Sequence, residues 1–244
     1  MRSETSSKTI LTLDPKWLAI VLTLPIPFLA FTHIAGLLTY NYFGIENPVI
    51  FKKLNLDVER SIPSLYTLVL WLVCIALLSF IAYYKKKDQE PYKYWLGMVV
   101  LFVFLSVDEF IAIHETISPY MYHMLNASGL LFYTWVVLYF VALVILVLVY
   151  LRFMISLPAK TRNLFIFALL LFVSGAIGVE MFEGRYAEMY GKTPFYYLFL
   201  ITLEETLEMV GLVVFIYALG SYINSELGVL QIRTDPPQVR SRSQ

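Results

Sequence analysis

Residues 195–222 read FYYLFLITLEETLEMVGLVVFIYALGSY, and how this stretch is read decides the fold. It is apolar apart from Glu204, Glu205 and Glu208, and long enough to cross a bilayer, which takes about 20 mostly apolar residues. It therefore reads as a membrane span with three carboxylates inside it. Five further segments qualify on the same ground: Lys16–Tyr40, Ser64–Tyr84, Tyr94–Ser118, Leu130–Leu151 and Asn163–Glu183. The first comes after a polar stretch and is too long for the apolar region of a signal peptide.

Composition agrees with this. Of 244 residues, 59% are hydrophobic and only 15% charged, and the mean hydropathy is +0.71. A soluble domain carries roughly 25% charged residues. The expected fold is an all-α integral membrane protein, a bundle of about six transmembrane helices. Pro25 and Pro27 predict a kink in the first helix, with neighbours satisfying the freed carbonyls. Trp17, Trp95 and the tyrosine pairs 83/84, 92/94, 120/122 and 196/197 lie near span ends, as interfacial aromatics do.

The basic residues set an orientation. With six spans, thirteen Lys and Arg fall on the side of the termini, against five on the other: Lys52, Lys53, Arg60, Arg185 and Lys192. The positive-inside rule then puts both termini in the cytoplasm. The expected organisation is a cytoplasmic segment over 1–15, a transmembrane domain over 16–224 and a disordered cytoplasmic tail over 225–244. The host is expected to be the cell's inner or plasma membrane. A net charge of zero gives no pull toward nucleic acid. Cys74, the only cysteine, leaves no intrachain disulfide and no Cys-based zinc or iron–sulfur site.

Eight of the eighteen acids lie inside three of the spans. The third span carries Ser106-Val-Asp108-Glu109 and then His114-Glu115, the fifth carries Glu180-Met-Phe-Glu183, and the sixth carries Glu204, Glu205 and Glu208. At about 100° per residue, Asp108, Glu109 and Glu115 share a face of a continuous helix, from which His114 points away. Glu180 and Glu183 share a face, and the three acids of the sixth span fall within one arc. All eight sit at overlapping depth, in the half away from the termini.

Magnitude separates function from accident here. A carboxylate at a span centre costs roughly 2.5–3.5 kcal/mol on insertion scales. Several together exceed the ~5–15 kcal/mol net stability of an ordinary domain. His33, His114 and Arg185 are the only internal cations in view. Protons, water or a bound cation must supply the remainder. A structural alternative stands beside this. Ser106-x-x-Glu109 and Thr202-x-x-Glu205 match a helix N-cap box, and a sixth helix starting at Leu203 would leave its acids at the interface. Glu183 with Arg185 could be a plain interfacial pair, and His123 reads as an exposed loop residue.

The Cys-free, His-poor ligand set suits Mg, Ca, Mn, Fe or Zn. Three histidines are too few for multi-histidine membrane desaturases, and Glu204-Glu205 lacks the subsequent Arg of Glu-Glu-x-x-x-Arg proteases. Three functions remain. The favoured one is a metal-dependent membrane enzyme acting on a lipid, quinone or other apolar substrate. In it Glu109, Glu115, Glu180, Glu183, Glu204, Glu205, Glu208 and His33 are candidate ligands of a divalent cation, with Asp108 and His114 as the candidate catalytic pair. The second is a cation- or proton-coupled transporter using the same acids, in keeping with the echo between Ser106–Glu109 and Thr202–Glu205 in the third span of each half. The third is an accessory subunit of a larger membrane complex. Membrane lipids, an apolar small molecule and further copies of the chain are the expected partners.

Overall fold

In a computed structural model of the protein, residues 14–43, 53–58, 60–192 and 195–227 are described. Most of the N-terminal segment, Asn47-Pro48, Lys52 and nearly all of the tail lie outside these residues, as do the side chains of residues 40–43 and of His123. Nine α-helices and no strand occur among the described residues. They are α1 (Pro15–Thr23), α2 (Pro25–Phe43), α3 (Ile62–Lys87), α4 (Lys93–Ile111), α5 (Ile113–Leu125), α6 (Trp135–Ser156), α7 (Ala159–Val173), α8 (Glu180–Tyr190) and α9 (Phe195–Tyr222).

Five stretches are long and apolar enough to cross a membrane: Pro15–Thr39, Ile62–Lys87, Lys93–Ile111, Trp135–Ser156 and Ala159–Tyr190. The protein is an all-α membrane bundle. The sixth stretch forms the 28-residue helix α9, which is set apart by burial: fifteen of its residues are buried, against three in the 22-residue α6. It packs against α1, α2, α3, α7 and α8 and is the axis of the bundle. Met209, Ile216, Ala218 and Leu219 meet Leu70, Cys74, Leu78 and Ile81 of α3 in a core with no solvent exposure. Large apolar side chains face outward on the peripheral helices, such as Phe31, Val100 and Leu148. In hydrocarbon these need no protein partner.

Three local irregularities shape the functional end. The first span divides at Leu24, where Pro25 and Pro27 cannot donate, and the Tyr66 hydroxyl of α3 donates to the Leu22 carbonyl beside the break. The fifth span widens into a π-helical segment, Ser174–Val179, between α7 and α8. Such bulges re-aim the helical turns beyond them and are frequent at functional sites.

The third irregularity corrects a sequence expectation. The third span is not one helix over Tyr94–Ser118. It ends at Ile111, and Ala112 takes the left-handed conformation at φ 49°, ψ 54° before α5 begins. This costs an L-residue about 1–2 kcal/mol. Asp108 offsets it by capping the new helix across the break, its Oδ1 accepting from the His114 amide at 3.0 Å. His114 therefore turns back toward Asp108 instead of away from it, and His123 lies within α5 and not in a loop.

Candidate functional site

α7 and α9 approach closely because their contacts are glycines. A Cβ on Gly211 would meet the Phe172 nitrogen at 2.9 Å, and one on Gly175 would meet the Glu204 carbonyl at 2.8 Å. Small residues at such crossings let helix backbones touch. The second contact sets the π segment against α9, beside the residues that carry the acids.

Beyond it lies a cavity of about 640 Å³ at the end of the bundle where α4 finishes and α6 and α9 begin. Asp108, Glu109, Glu115, Glu180, Glu183, Glu204, Glu205 and Glu208 all line it, and Asp57 makes nine carboxylates. Among the described residues, the cationic or titratable nitrogen groups on its walls are Lys192 and His114 alone. Trp71, Leu105, Phe172 and Ile201 supply apolar wall, and Tyr133, Tyr139 and Tyr197 supply hydroxyls.

Three acids draw together most tightly. Glu180, Glu183 and Glu204 each offer an oxygen, and these oxygens lie within 4.8 Å of one another. Glu180 and Glu183 project from the first turn of α8, three residues apart, with Glu204 facing them from α9. The Trp135 indole N–H donates to Glu180 Oε1 at 3.2 Å. Glu183 is 2% exposed, and its Oε1 has no hydrogen-bond partner among the described residues. The donor set is all oxygen from two adjacent helices, which fits a hard or borderline divalent cation.

A second group adjoins the first. Asp108 accepts from the His114 amide, from His114 Nδ1 at 3.1 Å and from the Tyr139 hydroxyl at 2.9 Å. With the Nδ1 proton directed at Asp108, Nε2 is left to carry the lone pair of a neutral ring. The Trp135 ring packs on the His114 ring with centroids 4.7 Å apart. Trp135 and Tyr139, four residues apart on the first turns of α6, thus hold Glu180 and the Asp108–His114 pair together.

Glu109, Glu115, Glu205 and Glu208 share the cavity but fall outside the tight triad. His33 does not line it. It is 1% exposed, and its Nδ1 meets the Thr202 hydroxyl at 3.0 Å. That hydroxyl donates its proton to the Leu198 carbonyl, so His33 donates from Nδ1. Arg185 is exposed and forms no ion pair among the described residues, so the alternative of a plain interfacial Glu183–Arg185 pair falls, and Glu183 is buried. The N-cap alternative falls as well. α9 begins at Phe195, placing Glu204 roughly 14 Å along the helix at 1.5 Å per residue. Ser106 and Thr202 sit within α4 and α9, their hydroxyls donating to Val103 and Leu198 carbonyls.

Sequence reasoning missed Asp57, Lys192, Trp135 and Tyr139. Burial pushes the Asp57 carboxyl above the usual carboxylate range, against the pull of Lys192. Burial works against the Lys192 ammonium, yet Tyr133, Asp57 and Glu115 carry it above its ordinary value. Lys192 also sits over the Tyr133 ring, 5.1 Å from its centroid. Lys192 lies in the short connection before α9 and Asp57 in the stretch before α3, where the sequence shows only a charge. The i, i+4 spacing of Trp135 and Tyr139 was the available signal on α6.

Fold and site together define an all-α membrane bundle built around a carboxylate-lined cavity. The chain belongs to the family described as Domain of unknown function (DUF8692), which matches residues 17–223, from within α1 to the end of α9. No curated protein and no solved structure matches it.

Proposed function

We propose that this protein is a metal-dependent membrane enzyme acting on a lipid, quinone or other apolar substrate, with a divalent cation held by Glu180, Glu183 and Glu204. The observation that carries the reading is the triad of Glu180, Glu183 and Glu204 oxygens within 4.8 Å, in a carboxylate set whose buried Glu183 also has a partnerless Oε1 among the described residues. Carboxylates so close together need protons or a counter-charge. A divalent cation held by Glu180, Glu183 and Glu204 would supply that counter-charge. Such an ion would polarise a substrate oxygen or lower the pKa of a bound water.

The chain's own residues then divide the work. Asp108, fixed by three hydrogen bonds, holds the His114 tautomer that leaves Nε2 free to accept a proton or a ligand. Trp135 restrains Glu180. The apolar wall of Trp71, Leu105, Phe172 and Ile201 takes the body of the substrate and excludes water. The reading places both termini in the cytoplasm of a cell with the cavity facing outward, in the inner or plasma membrane, and admits association with further copies.

Metal content tests this. Protein purified from membranes should hold about one equivalent of Mn, Fe, Zn, Mg or Ca, and the remaining acids leave room for a second. Occupancy should fall as pH is lowered, because ligand carboxylates must be deprotonated. One observation favours a transporter as the second reading. Glu205 and Glu208 continue the line of acids along α9 from Glu204 toward the bundle centre, as a cation relay would require. A proton- or sodium-driven flux lost in Glu208→Gln, from metal-free protein, would select it.

A further inference from the structure

α5 forms one wall of the cavity and is built differently from the helices that span. Glu115, Ser118, Pro119 and Tyr122, at i, i+3, i+4 and i+7, line the cavity. The opposite side presents Tyr120 at 74% and Met124 at 82% exposure. A 13-residue helix with one polar and one apolar face suits the plane of a membrane interface, not a crossing. It packs chiefly against α4 and α6. Both its ends are left-handed non-glycine residues, Ala112 at φ 49° and Asn126 at φ 45°. Hinges are a few element-terminal residues that absorb backbone change. Two polar clips hold it down: Asp108 to His114 at one end, and Ser118 to Thr134 further along, where the Thr134 hydroxyl donates to the Ser118 carbonyl at 2.7 Å.

The cavity behind α5 has two chemistries. Carboxylates crowd one part, while Trp71, Leu105, Phe172 and Ile201 form a wall that offers a water-soluble ligand nothing. The Trp71 indole N–H, on that wall, has no partner among the described residues. A molecule with an apolar body and an acceptor oxygen matches both. Such a molecule dissolves in a membrane leaflet, and the exposed apolar side of α5 suits contact with one.

We propose that the cavity takes an oxygen-bearing amphiphile directly from the adjoining membrane leaflet, admitted by displacement of α5 about Ala112. This names the substrate class of the enzyme reading above and rests on it for the chemistry, though the entry route stands without a metal. Because His114 and Glu115 ride on α5, opening withdraws them from the cavity, and closure returns the histidine to Asp108.

Two carbodiimides that modify buried carboxyls, one partitioning into lipid and one confined to water, separate the routes. Chelator-treated full-length protein in lipid nanodiscs is exposed to dicyclohexylcarbodiimide or to its water-soluble ethyl-dimethylaminopropyl analogue, and modification of Glu180, Glu183 and Glu204 is read by peptide mass. The lipid-phase reagent should label at least tenfold faster. In the double variant Ser118→Cys/Thr134→Cys, oxidation should cut that labelling at least tenfold and reduction should restore it. Cys74 is buried and does not compete. Equal labelling by both reagents, no labelling by either, or labelling unaffected by the disulfide would each overturn the proposal. The wild-type arm needs no folded variant. Since no metal is used, failure here leaves the metal centre standing, and absence of metal leaves this result standing.

Discussion

The Glu183 carboxylate is 2% exposed, with Oε1 unpartnered among the described residues and the oxygens of Glu180 and Glu204 within 4.8 Å. Leaving a buried charged acceptor unsatisfied costs upward of ~1–3 kcal/mol, so the site gains from anything that fills it. Glu183→Gln removes a charge and weakens a ligand while keeping the shape. It should reduce divalent-cation affinity by about tenfold or more. Asp108→Asn tests the other group. An amide nitrogen facing Nδ1 favours the opposite histidine tautomer; with His114 Nε2 completing the coordination offered by the Glu triad, that change blocks Nε2 and metal affinity should drop by about 10–100-fold with the fold intact. A metal titration monitored by tryptophan fluorescence, with Trp135 at the site, reads both. Unchanged affinity in Asp108→Asn would remove His114 from the machinery.

At the scale of elements, the contacts between α7, the π segment and α9 set the distance between the acid-bearing helices. Gly211→Ala drives a methyl into the backbone of Phe172 and Ala168, which cannot rotate aside. It should lower stability by about 1–3 kcal/mol, seen as earlier thermal aggregation of the purified protein. Gly178→Ala, whose Cβ meets nothing closer than the Val173 carbonyl at 3.9 Å, should be neutral or slightly stabilising. Equal losses at the two positions would contradict the packing. These elements also show what the sequence made legible. Apolar length located the five stretches able to cross a membrane and the helix α9, and the prolines located the break in the first. The break at Ala112 carries no Gly or Pro, because Asp108 supplies the cap from four residues away. A helical wheel drawn through it therefore sent His114 to the wrong side. The π segment likewise shifts the phase of α8, which a uniform 100° turn does not represent.

At the scale of the whole molecule, the eight acids read from the sequence meet in one cavity because α4, α5, α8 and α9 converge there, as counting residues along the spans anticipated. Asp57 and Lys192 reach the same place from outside the long helices, where no periodicity announces a direction. The proposed outward orientation of the cavity rests on thirteen basic residues against five. A cysteine introduced at Asn47 should react with an impermeant maleimide on intact cells. Reaction only after the cytoplasm is opened would invert the topology.

The claim at the centre of this account is that the triad holds a divalent cation. Elemental analysis of protein purified without chelator, beside Glu183→Gln and the remote exposed control Glu226→Gln, tests it most directly. The account predicts about one equivalent of divalent metal in the wild type and in Glu226→Gln, and about tenfold less in Glu183→Gln at matched metal. A wild type that stays metal-free after incubation with Mn, Fe, Zn, Mg and Ca, and that Glu183→Gln makes more heat-stable, would contradict it.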